Sequence, residues 1–442
     1  MTSSSPLFTN ATATSTWNSL LSSSFPTAIR FHHLRAEMSL SEASSPLPLP
    51  PLPEKRIILG CGGLGQDYLA TVASFPKPDE KIRSTSIMVQ GGGNAGNALT
   101  GAARLGLKPR LISKVANDGP GKGLLAELEA DGVDTSYIAV SEEGNTPFTY
   151  IIVDNQMKTR TCIYTPGHPG VEPDDLSQSS LLSALDGARI FYSDVRLPEI
   201  ALVIAKEAAR MQVPILVDAE RKREGLDDLF NLAHYVVCSE KLPQAWTAAP
   251  SIASALLSML VRLPKLKFVI VTLGENGCIM LERNTSEDPE AEEMDVDSLL
   301  ESLKQKIDGT KTIPTCISSK PKLRLSADGV GTVCGRLLVG TSEVVPPSEL
   351  IDTTGAGDAF IGAILYAICA DMSPEKMLPF AAKVAAANCR ALGARTGFTI
   401  EMDVDDAVTL HVLSRPVPDD GKLAHSDFFN SFDDDFDDSD IA

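Results

Sequence analysis

The segment whose residue types most clearly suggest chemistry is Asp352-Thr353-Thr354-Gly355-Ala356-Gly357-Asp358-Ala359-Phe360, followed by an apolar run from Ile361 to Ala370. A buried helix that begins with small residues exposes free backbone N–H groups at the positive end of its dipole, and this makes an anion site. Gly355, Ala356 and Gly357 offer three such donors. A carboxylate at Asp358 opposes anion binding unless it accepts the proton of a hydroxyl that attacks the anion. The pattern therefore predicts phosphoryl transfer with Asp358 as general base, the alternative being a structural N-cap aspartate.

A second candidate segment is Gly91-Gly92-Gly93-Asn94-Ala95-Gly96-Asn97, which leads into a helical stretch that closes at Gly106. Glycines let the backbone approach a ligand closely, and the amides of Asn94 and Asn97 both donate and accept hydrogen bonds. Such groups suit a polyhydroxylated ligand. A glycine turn with Asn94 as helix cap is the alternative, although it explains Asn97 less well.

A third glycine pattern, Gly60-Cys61-Gly62-Gly63-Leu64-Gly65, satisfies the G-x-G-x-x-G spacing of dinucleotide sites. That site needs a helix opening at the third glycine, whereas Pro76 and Pro78 interrupt the chain before a full crossover helix. We therefore disfavour a dinucleotide site. Neither of the two Gly-Lys pairs, at 121–122 and 421–422, completes a Walker A phosphate loop.

The elements that must position these residues alternate between β-forming runs and stretches with apolar residues at helical spacing. The predicted strands are 56–59, 110–115, 150–153, 190–195, 213–218, 235–239 and 268–273, and the clearest predicted helices are 200–211 and 252–261. This alternation predicts an α/β fold with a mostly parallel sheet flanked by helices, whose ligands bind at the carboxyl ends of the strands. The stretches 67–89 and 149–164 break the rhythm and predict a small antiparallel flap.

Acidic residues are concentrated in two places. The 442-residue chain has a formal net charge of −19, of which residues 287–301 and 419–442 each contribute −8, leaving −3 for the rest. The global charge disfavours nucleic-acid binding, and no apolar run approaches the roughly 18 residues of a membrane span. We predict a loosely ordered acidic insertion at 284–326 and a disordered tail at 416–442, whose interleaved phenylalanines leave a protein partner open.

The two ends frame a single catalytic domain predicted at 54–415. Residues 1–36 contain no acid and are rich in serine and threonine, as organelle transit peptides are, and a proline-rich linker follows, so that 1–53 lies outside the fold. We expect a chloroplast location, with a merely disordered N-terminus of a cytoplasmic protein as the alternative. The eight cysteines form no C-x-x-C pair, which fits free, mostly buried thiols in a reducing compartment and argues against a zinc site.

The 92–106 and 352–360 segments together resemble the two signatures of the pfkB, or ribokinase-like, carbohydrate kinases, over about residues 56–400 without the acidic insertion. Gly92 to Asn97, Thr159-Arg160-Thr161-Cys162-Ile163-Tyr164 and the 217–239 stretch are most similar to the ketohexokinase (fructokinase) branch. The resemblance implies a ribokinase-like fold with a small β lid, ATP and Mg²⁺ as cofactors, and a sugar as the phosphate acceptor.

The resemblance also implies roles for single residues. Asp67, Gly93, Asn94 and Asn97 match the sugar-binding positions, Asp358 the base, and Gly355 to Gly357 the anion hole. The positions matching the nucleotide site are Arg160, Thr272, Gly274, Gly277, Gly393 and Ala394. Asp352 and Thr354 fall where some members bind a monovalent cation such as K⁺.

One departure from the family concerns magnesium. Many members carry N-x-x-E after the strand that ends near Cys238, where this chain has Ser239-Glu240-Lys241-Leu242. The ketohexokinase branch shares this loss, and Glu240 or Glu220 are weak substitutes. We predict an ATP-dependent kinase acting on a hydroxymethyl group of a ketose or related small sugar. Ribose or nucleoside specificity, and a catalytically silent scaffold resembling the fructokinase-like proteins of plastid nucleoids, remain alternatives. A homodimer through the flap is also expected.

Overall fold

The computed structural model describes residues 52–54, 56–157, 159–284 and 291–397. The transit-like segment at 1–36, the tail at 416–442 and residues 285–290 of the predicted insertion lie outside this range. The strands are β1 (Ile57–Cys61), β2 (Gly65–Val72), β3 (Ser86–Gly92), β4 (Lys108–Ala116), β5 (Ile138–Ser141), β6 (Phe148–Asp154), β7 (Thr159–Thr165), β8 (Phe191–Ser193), β9 (Ile215–Ala219), β10 (Tyr235–Ser239), β11 (Phe268–Thr272), β12 (Cys278–Arg283), β13 (Glu293–Asp295), β14 (Cys316–Ser318), β15 (Leu323–Ala327) and β16 (Gly331–Gly340).

The helices alternate with these strands as the sequence predicts. They are α1 (Asn94–Arg104), α2 (Gly119–Ala130), α3 (Gln178–Leu185), α4 (Pro198–Arg210), α5 (Leu226–Phe230), α6 (Leu242–Thr247), α7 (Ile252–Arg262), α8 (Val296–Lys304), α9 (Ala356–Cys369) and α10 (Pro374–Asn388). Among the described helices, none is both long enough and apolar enough to cross a membrane.

The large sheet has the order β13-β15-β16-β12-β11-β10-β9-β8-β1-β4-β5, with β14 also paired to β16. The strands from β11 to β5 are all parallel, which confirms the predicted α/β class. Because β1 pairs with β4 on one side and with β8 on the other, the chain reverses its direction across the sheet at β1. Ligands of such sheets bind beyond the carboxyl ends of the strands at this reversal.

Two apolar layers cover the sheet. Helices α1, α2, α9 and α10 pack on one face, and α3 to α8 pack on the other. Neighbouring residues of the strands serve opposite layers: Ile58 packs among the first group of helices and Leu59 among the second. The continuously apolar strands of the sequence follow from this burial on both faces.

The prediction of a loosely ordered insertion at 284–326 is wrong for the part that the structure describes. Residues 291–326 contain β13, α8, β14 and most of β15. Val296, Leu299, Leu300 and Leu303 are buried, at helical spacing, against the core, whereas Glu301 points outward. The carboxylate of Asp295 caps the helix by accepting from the Ser298 N–H at 2.8 Å. The acidic residues therefore form the solvent face of an amphipathic element, and counting charge alone obscured the apolar period.

The predicted flap is a second sheet of four strands in the order β3-β2-β6-β7. Its β2–β3 and β6–β7 pairs are antiparallel, but β2 and β6 are parallel, so the prediction of an antiparallel flap is wrong for the central pair. The reason is topological: β2 follows β1 and β6 follows β5, and both of these strands run in the same direction through the large sheet. Leu69, Ile151 and Val153 are buried on one face of the flap.

Candidate active site

The polar residues that follow neighbouring parallel strands line one edge of the large sheet. Asp194 follows β8, Asp218 lies near the end of β9, and Ser239 and Thr272 end β10 and β11. Since these strands are adjacent and parallel, their carboxyl ends form a continuous row. The row runs from β8, next to the reversal at β1, to the predicted nucleotide residues at β11, and it marks the candidate cleft.

The predicted anion hole lies at the start of α9. Gly355 is the N-cap in a left-handed conformation (φ 75°), and a Cβ there would lie 2.5 Å from the Cβ of Ala394. Gly357 faces open space: apart from the neighbouring backbone of its own helix, no heavy atom of the described residues lies within 4 Å of the position a Cβ would take. The Ala356 N–H, however, turns back to the Thr353 carbonyl oxygen at 3.3 Å. The helix start thus offers an approachable group of backbone donors, of which the Ala356 N–H is weakly engaged without a ligand.

The predicted base, Asp358, is held by an amide on another helix. The Asn97 Nδ2 donates to the Asp358 Oδ2 at 2.8 Å. Burial raises the pKa of Asp358 to about 7; the Asn97 hydrogen bond lowers it, and the negative charges of Asp194 and Asp67 raise it further. A carboxyl group that ionises near neutrality is well matched to general-base catalysis, because it is both substantially ionised and basic at physiological pH.

Close packing between α1 and α9 brings Asn97 and Asp358 together. Gly362, one turn after Asp358, lies so near α1 that an added Cβ would sit 2.7 Å from the Ala98 carbonyl oxygen. Both helices are built of small residues at this crossing, and Ala98, Gly101 and Ala359 are buried there. The small residues of the two signatures therefore set the distance between the helices as well as the shape of the anion hole.

The predicted sugar-binding residues lie beside the base. Asp67 on β2 is buried against Gly92 of β3, where a Cβ would sit 2.1 Å from its carboxylate. Burial raises the pKa of Asp67 to about 6, although the charge of Arg395 and a hydrogen bond with Thr149 lower it. Gly93 has φ 88° and lies against the Gly63 carbonyl oxygen, 2.5 Å from where its Cβ would be.

Asn94 differs from Asn97 in having its amide free. Asn94 is half-buried, and within the described part of the chain its side chain makes no hydrogen bond, whereas Asn97 bonds Asp358. The structure identifies Gly93 as the N-cap of α1 and shows no side-chain cap bond, so the alternative in which Asn94 caps the helix is wrong. The Asn94 amide is available to a ligand.

The glycines of the G-x-G-x-x-G segment pack against Asp194, a site residue that the sequence did not reveal. Its Oδ2 accepts from the N–H groups of Gly63 at 2.7 Å and Ala95 at 3.0 Å. A Cβ on Gly62 would lie 2.1 Å from its Oδ1. The glycines therefore make room for a protein carboxylate, and β2 rather than a helix follows Gly65, which excludes a dinucleotide site at this motif. The sequence signal that could have identified Asp194 is its position directly after the buried strand β8.

A second missed residue is Arg395, directly after the predicted Gly393-Ala394 pair. Its Nε donates to the Asn97 Oδ1 at 2.9 Å, so that it lies behind the amide that holds the base. A charged residue in a glycine-rich loop gave no sequence signal of burial. Only the tertiary structure shows that the loop runs inward.

Arg160 of the flap lies beside the loop that leads into α9. The Arg160 Nη1 donates to the Thr353 Oγ1 at 2.6 Å, which links β7 to the loop that precedes the anion hole. Its positive charge lowers the pKa of Asp358. Arg160 is therefore placed to contact phosphate groups bound at this helix start.

The predicted cation residues form a tight loop around one carboxylate. The Asp352 Oδ1 accepts from the N–H and the hydroxyl of Thr354 at 2.9 and 2.8 Å, and its Oδ2 accepts from the Gly393 N–H at 2.9 Å. The Asn388 Nδ2 donates to the Thr354 carbonyl oxygen at 2.7 Å. The Asn388 Oδ1 is buried without a hydrogen-bond partner. An orphaned buried oxygen in a loop of oxygen atoms fits a bound cation.

The six predicted nucleotide residues fall in three places. Arg160 is on the flap. Thr272 ends β11, and Gly274 and Gly277 lie in the turn that follows it. A Cβ on Gly277 would sit 2.1 Å from the Gly340 carbonyl oxygen, whereas Gly274 faces open space. Gly393 and Ala394 lie against Gln90 and Gly355, next to the start of α9. The predicted role of these residues in nucleotide binding stays a prediction.

For magnesium, the described residues contain no cluster of three or more histidine, cysteine or acidic side chains arranged to hold a metal ion. Glu220 is paired with Arg196 at 2.7 Å, and Glu240 is exposed. Asp218, near the carboxyl end of β9, is a further acidic candidate. Burial raises its pKa well above the ordinary value, and the charges of Asp358, Asp194 and Glu220 raise it further. The described thiols are free, and Cys162 is the exposed one among them.

Comparison with known proteins agrees with this geometry. The pfkB family of carbohydrate kinases matches residues 63–298 and 311–401, and the small acidic protein 1/2 family matches residues 394–442. Ketohexokinase from Mus musculus is 25% identical over 77% of this chain and 98% of its own length, and ribokinase from Mus musculus is 24% identical over 79% and 94%.

The solved ribokinase of Thermotoga maritima shares the fold, with a TM-score of 0.55 and 22% identity over 78% of this chain and 96% of that one. Ketohexokinase and ribokinase are thus about equally similar to the chain, and the closer likeness to ketohexokinase stays a prediction. The chain belongs to the pfkB family of carbohydrate kinases and is an ATP-dependent sugar kinase.

Proposed function

We propose that this kinase transfers the γ-phosphate of ATP to a hydroxymethyl group of a ketose or a related small sugar. The observation that carries the proposal is the 2.8 Å hydrogen bond between Asn97 and Asp358, at the start of α9, on a carboxyl group with a pKa of about 7. This hydrogen bond supports a role for Asp358 as the base that takes a hydroxyl proton, next to backbone donors that would hold an anion.

The side chains of the cleft divide the tasks of this reaction. Asp67 and Asn94 hydrogen-bond the sugar hydroxyls. Asn97 holds Asp358 with one N–H of its amide and offers the second N–H to the sugar, and Asp358 takes the proton of the attacking hydroxyl. The backbone N–H groups of Gly355 to Gly357 hold the charge of the transferred phosphoryl group, and Arg160 adds a positive charge from the flap. Closure of the flap excludes water, which competes with the sugar as phosphoryl acceptor.

The residues fit a magnesium ion that is held largely by the ATP phosphates. Mg²⁺ keeps several waters and takes one or two protein carboxylates, so a cluster of three is not needed. Asp218 would supply the carboxylate, since its neighbours Asp194 and Asp358 raise its pKa and a cation would relieve their repulsion. When bound, the ion neutralises charge on the phosphates. A monovalent cation would lie near Asp352, Thr354 and the orphaned Asn388 oxygen.

Two alternatives lead to different results in one experiment. Ribose or a nucleoside as acceptor retains the same base and anion hole, because pocket shape alone separates these substrates. A catalytically silent scaffold would have no use for a carboxylate poised near pH 7, so the geometry favours an enzyme. Coupled measurement of ADP release over a panel of ketoses, aldoses and nucleosides tests them. Activity highest on a ketose supports the proposal, and ATP binding without turnover on any acceptor supports the scaffold.

We further propose a homodimer formed through the flap. Ile87, Val89, Tyr150 and Ile163 are exposed large apolar residues of its strands. The register Val89–Tyr68–Tyr150–Ile163 places three of them in one row across the sheet. A face of this kind gains stability when a second copy covers it. Light scattering should show a dimer, and the Ile163→Lys variant should be monomeric; a monomeric wild type would refute the assignment.

The two chain ends are also proposals. The match to the small acidic protein 1/2 family supports a protein partner for the tail. The acid-free, serine-rich residues 1–36 support import into the chloroplast.

A further inference from the structure

The guanidinium of Arg395 is enclosed by the glycine-rich segment 91–97. Arg395 is only 2% exposed and makes three separate contacts: Nε with the Asn97 Oδ1 at 2.9 Å, Nη2 with the Gly92 carbonyl oxygen at 3.1 Å, and Nη1 with the Glu127 Oε1 at 3.3 Å. Buried charges are found in proteins when they are paired and hydrogen-bonded, and these contacts meet that condition.

Two glycines of this segment leave room for the arginine because they have no side chain. A Cβ on Gly91 would lie 2.3 Å from the Arg395 Nη1, and a Cβ on Gly96 would lie 2.5 Å from Nη2. The Gly91 N–H in turn donates to the Glu127 Oε2 at 2.8 Å, so that Glu127 ties the guanidinium to β3. The glycines that the sequence assigned to close ligand approach therefore accommodate an internal arginine at these two positions.

The donor-only character of arginine fixes the direction of the hydrogen bonds that lead to the base. Since Arg395 Nε can only donate, the Asn97 oxygen must face it, and the Asn97 NH₂ group must face Asp358. A flipped Asn97 would bring its oxygen against the Asp358 carboxylate and its NH₂ against the guanidinium. Both contacts would be unfavourable, so the arginine selects the one amide orientation that stabilises the ionised base.

We infer that Arg395 is a positioning residue of the kinase, which acts through Asn97 to hold Asp358 in its ionised, correctly aimed form. The inference rests on the proposed function, because it assigns a task within the same reaction. Lysine cannot replace the arginine fully, since a single ammonium does not reproduce the planar fork that reaches Asn97, Gly92 and Glu127 together.

The charges around the guanidinium also link it to the sugar side of the cleft. Glu127, Asp131 and Asp67 supply the negative charges near it, and Arg104 supplies a positive one. Arg395 lowers the pKa of Asp67, opposing the effect of burial. Loss of the guanidinium therefore favours protonation of both Asp67 and Asp358, the first directly and the second through Asn97.

The test is the pH profile of kcat and kcat/KM for the full chain and two variants, with the best sugar of the substrate panel. We expect Arg395→Met to lower kcat about 10- to 100-fold, the range that misplacement of a reacting group causes. We also expect it to raise the apparent pKa of the base limb by about one unit, because the Asn97 bond to the carboxylate is no longer directed. Arg395→Lys should keep the fold, restore part of kcat, and remain at least several-fold below the wild type.

The matched control is Arg283→Met, at a partly buried arginine that donates to the Leu266 carbonyl oxygen at 3.0 Å, away from the site. This variant should have a lower melting temperature than the wild type and the same pH profile of kcat and kcat/KM. Folded Arg395 variants that show the wild-type kcat and apparent pKa overturn the inference, as does full activity of Arg395→Lys. If Arg395→Met does not fold, Arg395→Lys decides. A wild type inactive on every acceptor would instead refute the proposed function.

Discussion

The hydrogen bond from Asn97 to Asp358 predicts how the rate should depend on pH. Asp358 works as a base only when it is ionised, so kcat/KM should rise with pH through its pKa of about 7. About a tenth of the enzyme is ionised one unit below that pKa and about nine-tenths one unit above it. The wild type should therefore gain about tenfold in kcat/KM between pH 6 and pH 8.

Removal of the Asn97 amide should shift this rise in kcat/KM to a higher pH. A hydrogen bond to a charged group contributes about 1.5–3 kcal/mol, and 1.36 kcal/mol corresponds to one pKa unit. Asn97→Ala should then raise the apparent pKa by about one to two units. At pH 7 the ionised fraction would fall from about half to about a tenth or less, and activity would recover in part at pH 9.

The assay is coupled ADP release under kcat/KM conditions for the sugar, from pH 5 to pH 9, with saturating ATP. Asn94→Ala is the matched control: it removes a neighbouring amide that makes no hydrogen bond to Asp358. It should raise KM for the sugar and leave the apparent pKa in place. A flat profile between pH 6 and pH 8, or equal apparent pKa values in wild type and Asn97→Ala, would refute the reasoning.

Three further predictions concern stability and location. Because the folded-state pKa of Asp358 lies above its ordinary value, the stability that this residue contributes is complete below about pH 4 and is lost as the pH rises through about 7. Asp358→Asn should therefore melt at a higher temperature than the wild type at pH 8, and the difference in melting temperature should be smaller at pH 5. Equal differences at pH 5 and pH 8 would contradict this. Gly362→Ala should destabilise the fold by about 1–3 kcal/mol and lower kcat, since its Cβ meets the Ala98 carbonyl oxygen, whereas Gly123→Ala, in open space on α2, should be neutral or stabilising in the same denaturant titration. Residues 1–53 fused to a fluorescent protein should direct it to chloroplasts, and a uniform cytosolic signal would refute the transit-peptide assignment.

The parts of the fold that could be predicted from sequence are those with local, repetitive signals. The strands around Val217, Val237 and Ile270 are short β-forming runs between amphipathic helices, and their parallel order follows from that alternation. The prediction that Asp358 is a base also came from a local pattern, because a carboxylate repels an anion bound at a small-residue helix start and is useful there chiefly as a base.

The parts that could not be predicted depend on which distant residue fills a space. Nothing near Gly62 in sequence indicates that Asp194 occupies the space beside it, and nothing near Gly91 indicates Arg395. The acidic residues around Glu301 masked the apolar period of α8, because net charge and amphipathic spacing are independent properties. In each case the role of the local pattern depends on a partner that is distant in sequence.

The central claim is that Asp358 is the general base of a sugar kinase, and the turnover of Asp358→Asn tests it most directly. The variant should bind ATP as the wild type does and lose about 10²- to 10⁴-fold in kcat on the preferred sugar. Asp371→Asn, at an exposed aspartate just after α9, should keep the wild-type kcat. Near-normal turnover by folded Asp358→Asn would contradict the account.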